Sequence, residues 1–174
     1  MSRSVHTQFA VSIMALLASS FCAAENSVKP VDLTPYFSNM EKDCSTSNKL
    51  NAELTAWLVP DEKGRMKSQK SAPQSIASVV GHTKVKNAGE SWTVSAATAE
   101  AQYKGVSVKR IDRWSGKDNG ISGFSLIFAE PLAVVGKKLH VAKAVKDSEQ
   151  TMPQLLETKD ESKTVATLVC DFSN

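Results

Sequence analysis

Few residues in this 174-residue chain are of types that could do chemistry, and their spacing decides how far each can be taken. His82 follows Gly81 in an expected turn, and His140 stands between Lys138 and Lys143. Either imidazole could serve as a general base near neutral pH. Neither has an orienting acid or a nucleophile at a recognisable spacing, so a small periplasmic enzyme using His82 or His140 is an alternative reading, with the balance against catalysis. The Gly-x-Ser-x-Gly, His-Glu-x-x-His, phosphate-cradling and dinucleotide-binding patterns do not occur. Gly120-Ile121-Ser122-Gly123 resembles a serine nucleophile site only superficially, because alternating apolar neighbours make Ser122 a hairpin residue. The acid pairs Asp61-Glu62 and Asp160-Glu161 fall in turns, whereas a hydrolase holds two carboxylates across a cleft. No cofactor and no metal site is expected.

The strongest cluster is one of recognition. Lys109, Arg110, Arg113, Trp114 and Lys117 concentrate positive charge and an indole around an expected hairpin tip, with Ser115 and Asp118 among them. Trp and Arg are the types that most often dominate protein interfaces. The candidate partner-binding set is therefore Arg110, Arg113, Trp114, Ser115, Lys117 and Asp118, with Trp114 as the anchor. The competing expectation is a solvated loop with Trp114 folded back on the sheet. Ser115-Gly116 in a protruding loop resembles the motif of periplasmic lysozyme inhibitors; where members of one such group carry a tyrosine three residues after the serine, this chain has Asp118. A second basic group, Lys137, Lys138, Lys143 and Lys146, spreads over an exposed face and reads as a solubilising surface.

The compartment follows from the first residues. Arg3, an apolar run from Phe9 to Ala18 and a small-residue exit ending in Ala24 form the three-part pattern of a secretory leader, placing a signal peptide at 1–24. The run is short of the roughly 18 to 20 residues a membrane span needs. Phe21 is bulky where lipidation at Cys22 would want a small residue. Loss of the leader removes Arg3 and no acid, which leaves 20 basic against 18 acidic residues. That near balance argues against nucleic acid, which calls for a dense basic face. Lysines and acids interrupt every later apolar run, so no stable membrane insertion is expected.

Cys44 and Cys170 are then the only cysteines, and in an exported chain they have one intramolecular pairing. Periodicity supports it from both ends. Thr34 and Pro35 form an N-cap and first helical residue, followed by Phe37, Met40 and Cys44 at helical spacing. Ala166, Leu168, Cys170 and Phe172 alternate along a terminal strand.

Between them, Leu50, Leu54, Trp57 and Leu58 predict a second helix limited by Pro60, and 61–74 predicts an exposed connector. Strands are expected at 76–80 and at 91–98, where Trp92, Val94 and Ala96 share a face. A hairpin is expected from 106–114 and 121–129 around Asp118-Asn119-Gly120. Residues 132–145 follow a helical stripe, while Leu139, Val141 and Val145 also fit alternation; helix is favoured. A last hairpin turns at 159–162.

Together these predict one soluble α+β domain over 25–174: N-terminal helix or helices packed on an antiparallel β-sheet, a later helix between strands, and one disulfide. A disulfide-stiffened scaffold without a reaction constellation predicts an exported, non-catalytic binding protein. Its partner would be another envelope or secreted protein, in an inhibitor or immunity-like role, and an envelope chaperone or assembly factor is a further alternative. The expected location is the periplasm of a Gram-negative bacterium, with secretion to the medium as the alternative.

Overall fold

The computed structural model describes residues 29–48, 57–61, 63–66, 77, 79–142 and 151–173. The leader at 1–24, most of the expected second helix, much of the connector, Ile76 and residues 143–145 lie outside these. In chain order the elements are β1 (Val31–Asp32), α1 (Thr34–Phe37), α2 (Met40–Asp43), β2 (Val80–Asn87), β3 (Ser91–Tyr103), β4 (Val106–Gly116), β5 (Ser122–Phe128), α3 (Leu132–Lys138), β6 (Gln154–Asp160) and β7 (Lys163–Asp171). The strands form one seven-stranded sheet in the order β1-β3-β4-β5-β7-β6, with β2 also on β3. β1 runs parallel to β3 and the other pairings are antiparallel.

The sheet outweighs the helices, which are shorter than the sequence led one to expect. The Phe37, Met40, Cys44 stripe is carried by two separate helical turns, broken at Ser38 (φ 38°) and closed at a left-handed Cys44 (φ 58°). Spacing survives the break because both turns bury the same side: Phe37, Met40 and Cys44 all belong to the core. Thr34 is the first helical residue, not the cap; the Asp32 carboxylate accepts its N–H at 2.9 Å and its hydroxyl at 2.6 Å. The helix expected over 132–145 stops at Lys138, since Leu139 is extended (φ −101°, ψ 113°) while its N–H still closes the last turn on Val135.

Alternation places Val94 and Ala96 of β3, Ile111 of β4, Phe124 and Leu126 of β5, and Leu168 and Cys170 of β7 on one face of the sheet. That face meets Leu33, Phe37 and Met40, with the Phe37 ring edge-on to Tyr103 and Phe124 at 6.4 Å. The two described residues of the expected second helix, Trp57 and Leu58, are buried in the same core. Cys44 at the end of α2 is bonded to Cys170 of β7, with the Cα atoms 5.6 Å apart, so the disulfide joins the helical layer to the sheet. Nearby, buried Glu41 accepts from the Tyr103 hydroxyl at 2.5 Å and from the Lys104 ammonium. Burial opposes ionisation of Glu41, but those two donors outweigh it and hold its carboxyl below the ordinary range. Desolvation, joined by the same buried carboxylate, pushes the Tyr103 hydroxyl far above its ordinary value.

The expected 76–80 strand is displaced toward the C-terminus. β2 begins at Val80 and runs through Gly81 and His82, so His82 is a strand residue and not part of a turn. The glycine that suggested the turn instead sits where the β2–β3 register shifts between Val80 and Thr83. Register also shifts in β3 between Ala97 and Ala101, and in β4 between Val108 and Arg110. Three neighbouring strands are therefore bulged at one level of the sheet. Among the described residues no helix is long and apolar enough to cross a membrane.

Candidate functional site

The β4–β5 hairpin forms where expected, with a loop at 117–121. It ends level with the loop at 88–90 that joins β2 to β3, and lies beside it. Lys117 ties the two loops together. Its backbone N–H donates to Glu90 O at 2.9 Å, and its ammonium donates to Asn87 Oδ1 at 3.0 Å and to Gly89 O at 2.5 Å. The same ammonium lies 4.6 Å from the centre of the Trp92 ring. Asn119 adds a 3.3 Å bond from Nδ2 to Glu90 Oε2 and accepts from Ile121 N at 3.2 Å. Gly89 (φ 78°) and Gly120 (φ 70°) supply the left-handed turns that both loops require.

Two concavities flank this doubled tip. One, about 450 Å³, lies between the tip and the segment at 59–61, and is lined by Pro60, Asp61, Trp92, Ser115, Lys117 and Asp118 among others. Its outer wall is built by Asp61, whose carboxylate accepts from the N–H groups of Lys63 and Arg65 and from Arg65 Nε. Trp92 fits there because Gly64 has no side chain: a Cβ on Gly64 would lie 2.7 Å from the ring. The other concavity, about 370 Å³, is lined by Gly89, Glu90, Lys117, Asp118 and Asn119. Asp118 is exposed between the two.

The six candidate residues do not form one patch. Ser115, Lys117 and Asp118 are together at the tip. Arg110 lies back along β4, with Nε bonded to Asp112 at 2.8 Å and NH1 to Asp160. Burial opposes its charge, but Asp112 and Asp160 together raise its affinity for the proton above the ordinary value. Arg113 points to the core face, with its guanidinium carbon 5.1 Å from the Phe124 ring centre and no hydrogen-bond partner for Nε or NH1. Desolvation alone lowers its pKa. Trp114 lies on the opposite face from Arg113, its ring against Gly123, where a Cβ would collide with it. The residue that sequence reasoning missed is Trp92. Alternation puts it on one face with Val94 and Ala96, and its partial exposure depends on loops that alternation does not describe.

His82 and His140 are both exposed, and among the described residues neither has a hydrogen-bonded carboxylate or hydroxyl. Among those residues there is also no group of three or more His, Cys, Asp or Glu placed to hold a metal ion. Comparison with protein-family models, with curated proteins and with solved structures finds no match.

Proposed function

We propose that this chain is an exported, non-catalytic binding protein that engages another envelope or secreted protein through the doubled tip, with Trp92 and Asp118 in contact and Lys117 as the clamp beneath them. The observation that carries the reading is the clamp itself. A loop pair already fixed by Lys117 and Asn119 has little conformational entropy left to lose when a partner docks. A partly exposed indole beside a concavity is the kind of feature that becomes an interface anchor. Periplasmic residence, with release to the medium as the alternative, belongs to the same proposal. It is supported by the leader pattern and by a disulfide of the type that persists in oxidising compartments.

The test is an affinity measurement on a partner recovered by pull-down from an envelope extract and then purified. Trp92→Ala should weaken binding by about thirtyfold, the equivalent of about 2 kcal/mol for a truncated hot spot. Asp118→Arg should change affinity without lowering Tm, since Asp118 is exposed. Unchanged affinity in both folded variants would remove the tip from consideration.

A further inference from the structure

The three coincident bulges make a second feature on the face of the sheet away from the helices. A β-bulge re-aims side chains, and bulges occur disproportionately beside binding and active sites. Of the residues within these shifts, Gly81, His82, Thr98, Ala99 and Lys109 line one groove of about 620 Å³, and Glu100 does not. Successive residues of a regular strand point to opposite faces. The shift in β4 removes that constraint, so that Lys109 and Arg110 both reach the Asp160 carboxylate at the end of β6. β6 is three places from β4 in the strand order, about 14 Å in a flat sheet, so the β6–β7 hairpin must curl over this face to make those bonds.

The groove's floor is small and partly apolar, formed by Ala97, Ala99 and Ser95. Lys84 and Lys86 of β2 project onto the same face, opposite Ser95 and Thr93. Neither has an ion-pair partner among the described residues. The lining thus holds four cations, Lys84, Lys86, Lys109 and Arg110, against two acids, Asp160 and Glu161. Asp160 is 7% exposed and sits between two of those cations, occupying the position an external anion would take.

We infer that this groove is a binding site for a small anionic amphiphile, with the anionic head held by Lys84 and Lys86 at the margin of the Lys109–Arg110 pair and a short apolar body lying on the alanine floor. Asp160 is the built-in competitor. The site is independent of the doubled tip, and a volume of this size is typical of small-molecule pockets. Carboxylate and phosphate heads share the required chemistry.

Calorimetric titration of the purified protein with octanoate, octyl phosphate and, as the neutral control, octyl glucoside, all below their critical micelle concentrations, tests the inference. At least one anionic probe should bind and octyl glucoside should not; which anion binds identifies the head group. The double variant K84A/K86A should lose at least tenfold in affinity with its Tm unchanged, and Asp160→Asn should gain several-fold. Should Asp160→Asn fail to fold, the double lysine variant still decides. Binding of neither anion, equal binding of octyl glucoside, or affinity unmoved in K84A/K86A would overturn the inference.

Discussion

Gly123→Ala is a change of one methyl group at the point where the two faces of the candidate region are decided. A Cβ at Gly123 would lie 2.5 Å from the carbonyl oxygen of Cys170 and would run into the Trp114 ring. The carbonyl belongs to β7, whose ladder with β5 is held beside the Cys44–Cys170 bond, so the strand has little room to withdraw. The indole, the only one of the two that can move freely, must leave, and the contact with the carbonyl stays as strain. An overpacked site costs roughly 1 to 3 kcal/mol. Re-exposing about half of a tryptophan's contact area, on the order of 100 Å², adds about 2 kcal/mol. Replacing a strand glycine ordinarily returns about 0.5 to 1 kcal/mol of backbone entropy. The net expectation is a loss of about 3 kcal/mol, or roughly 6 to 12 °C in Tm for a domain of this size. Thermal melting and urea denaturation of Gly123→Ala, Trp114→Ala and the double variant give the cycle. Truncating Trp114 removes the clash with the ring and leaves only the one with the Cys170 carbonyl, so the double variant should be less destabilised than the sum of the two. Additive effects, or a Gly123→Ala protein as stable as the parent, would refute the packing of Trp114 on Gly123 and return Trp114 to the tip.

Replacing Cys44 and Cys170 together with serine opens a loop of 126 residues, and the chain-entropy relation gives a loss of about 5 kcal/mol; equal denaturation midpoints with and without the bond would contradict this. Glu41 and Asp160 both titrate below their ordinary values in the fold, so their stabilisation is complete above the unfolded pKa values of 4.5 and 3.8 and is lost as pH falls through the lower folded values. Urea denaturation as a function of pH should therefore show stability declining below about pH 4.5, and Glu41→Gln should lose about 2 kcal/mol at neutral pH with the difference narrowing in acid. A difference independent of pH would exclude an ionised Glu41 as the cause. Lys117→Ala should leave Tm nearly unchanged while amide exchange at Gly89, Lys117 and Ile121, whose N–H groups are bonded within the two loops, accelerates at least tenfold; unchanged protection would mean that the loops are not joined through this side chain.

The parts of the fold legible in the sequence were those with local periodicity. Residues 106–129 read as a hairpin because alternation and Asp118-Asn119-Gly120 agree, and Cys44 and Cys170 could be paired because each lies on an apolar stripe. What alternation could not reveal were the places where it breaks. Gly81 resembled a turn because glycine is common in turns, yet it marks a bulge within β2. Lys109 and Arg110 would face opposite sides of a regular strand, and the register shift in β4 turns both toward Asp160. The candidate cluster divided for a related reason. Arg113, Trp114 and Ser115 are consecutive, and consecutive strand residues alternate faces, so sequence proximity at a hairpin does not make a shared surface. Trp92 meets Lys117, 25 residues on, only because two loops about 30 residues apart come together, a long-range contact with no sequence signal.

The central claim is that the doubled tip is the surface that meets a partner. Site-specific photo-cross-linking in the producing cells tests it most directly, with the photoreactive residue placed at Asp118 in one protein and at Gly105 in another. Gly105 lies in the β3–β4 turn at the other end of β4, is exposed, and has open space where a side chain would begin; its φ of 73° requires that both proteins be checked for an unchanged fold by melting. The account predicts a discrete protein adduct from position 118, absent from position 105 and suppressed when Trp92→Ala is added. Adducts from position 105 alone, or an adduct at 118 indifferent to Trp92, would contradict it.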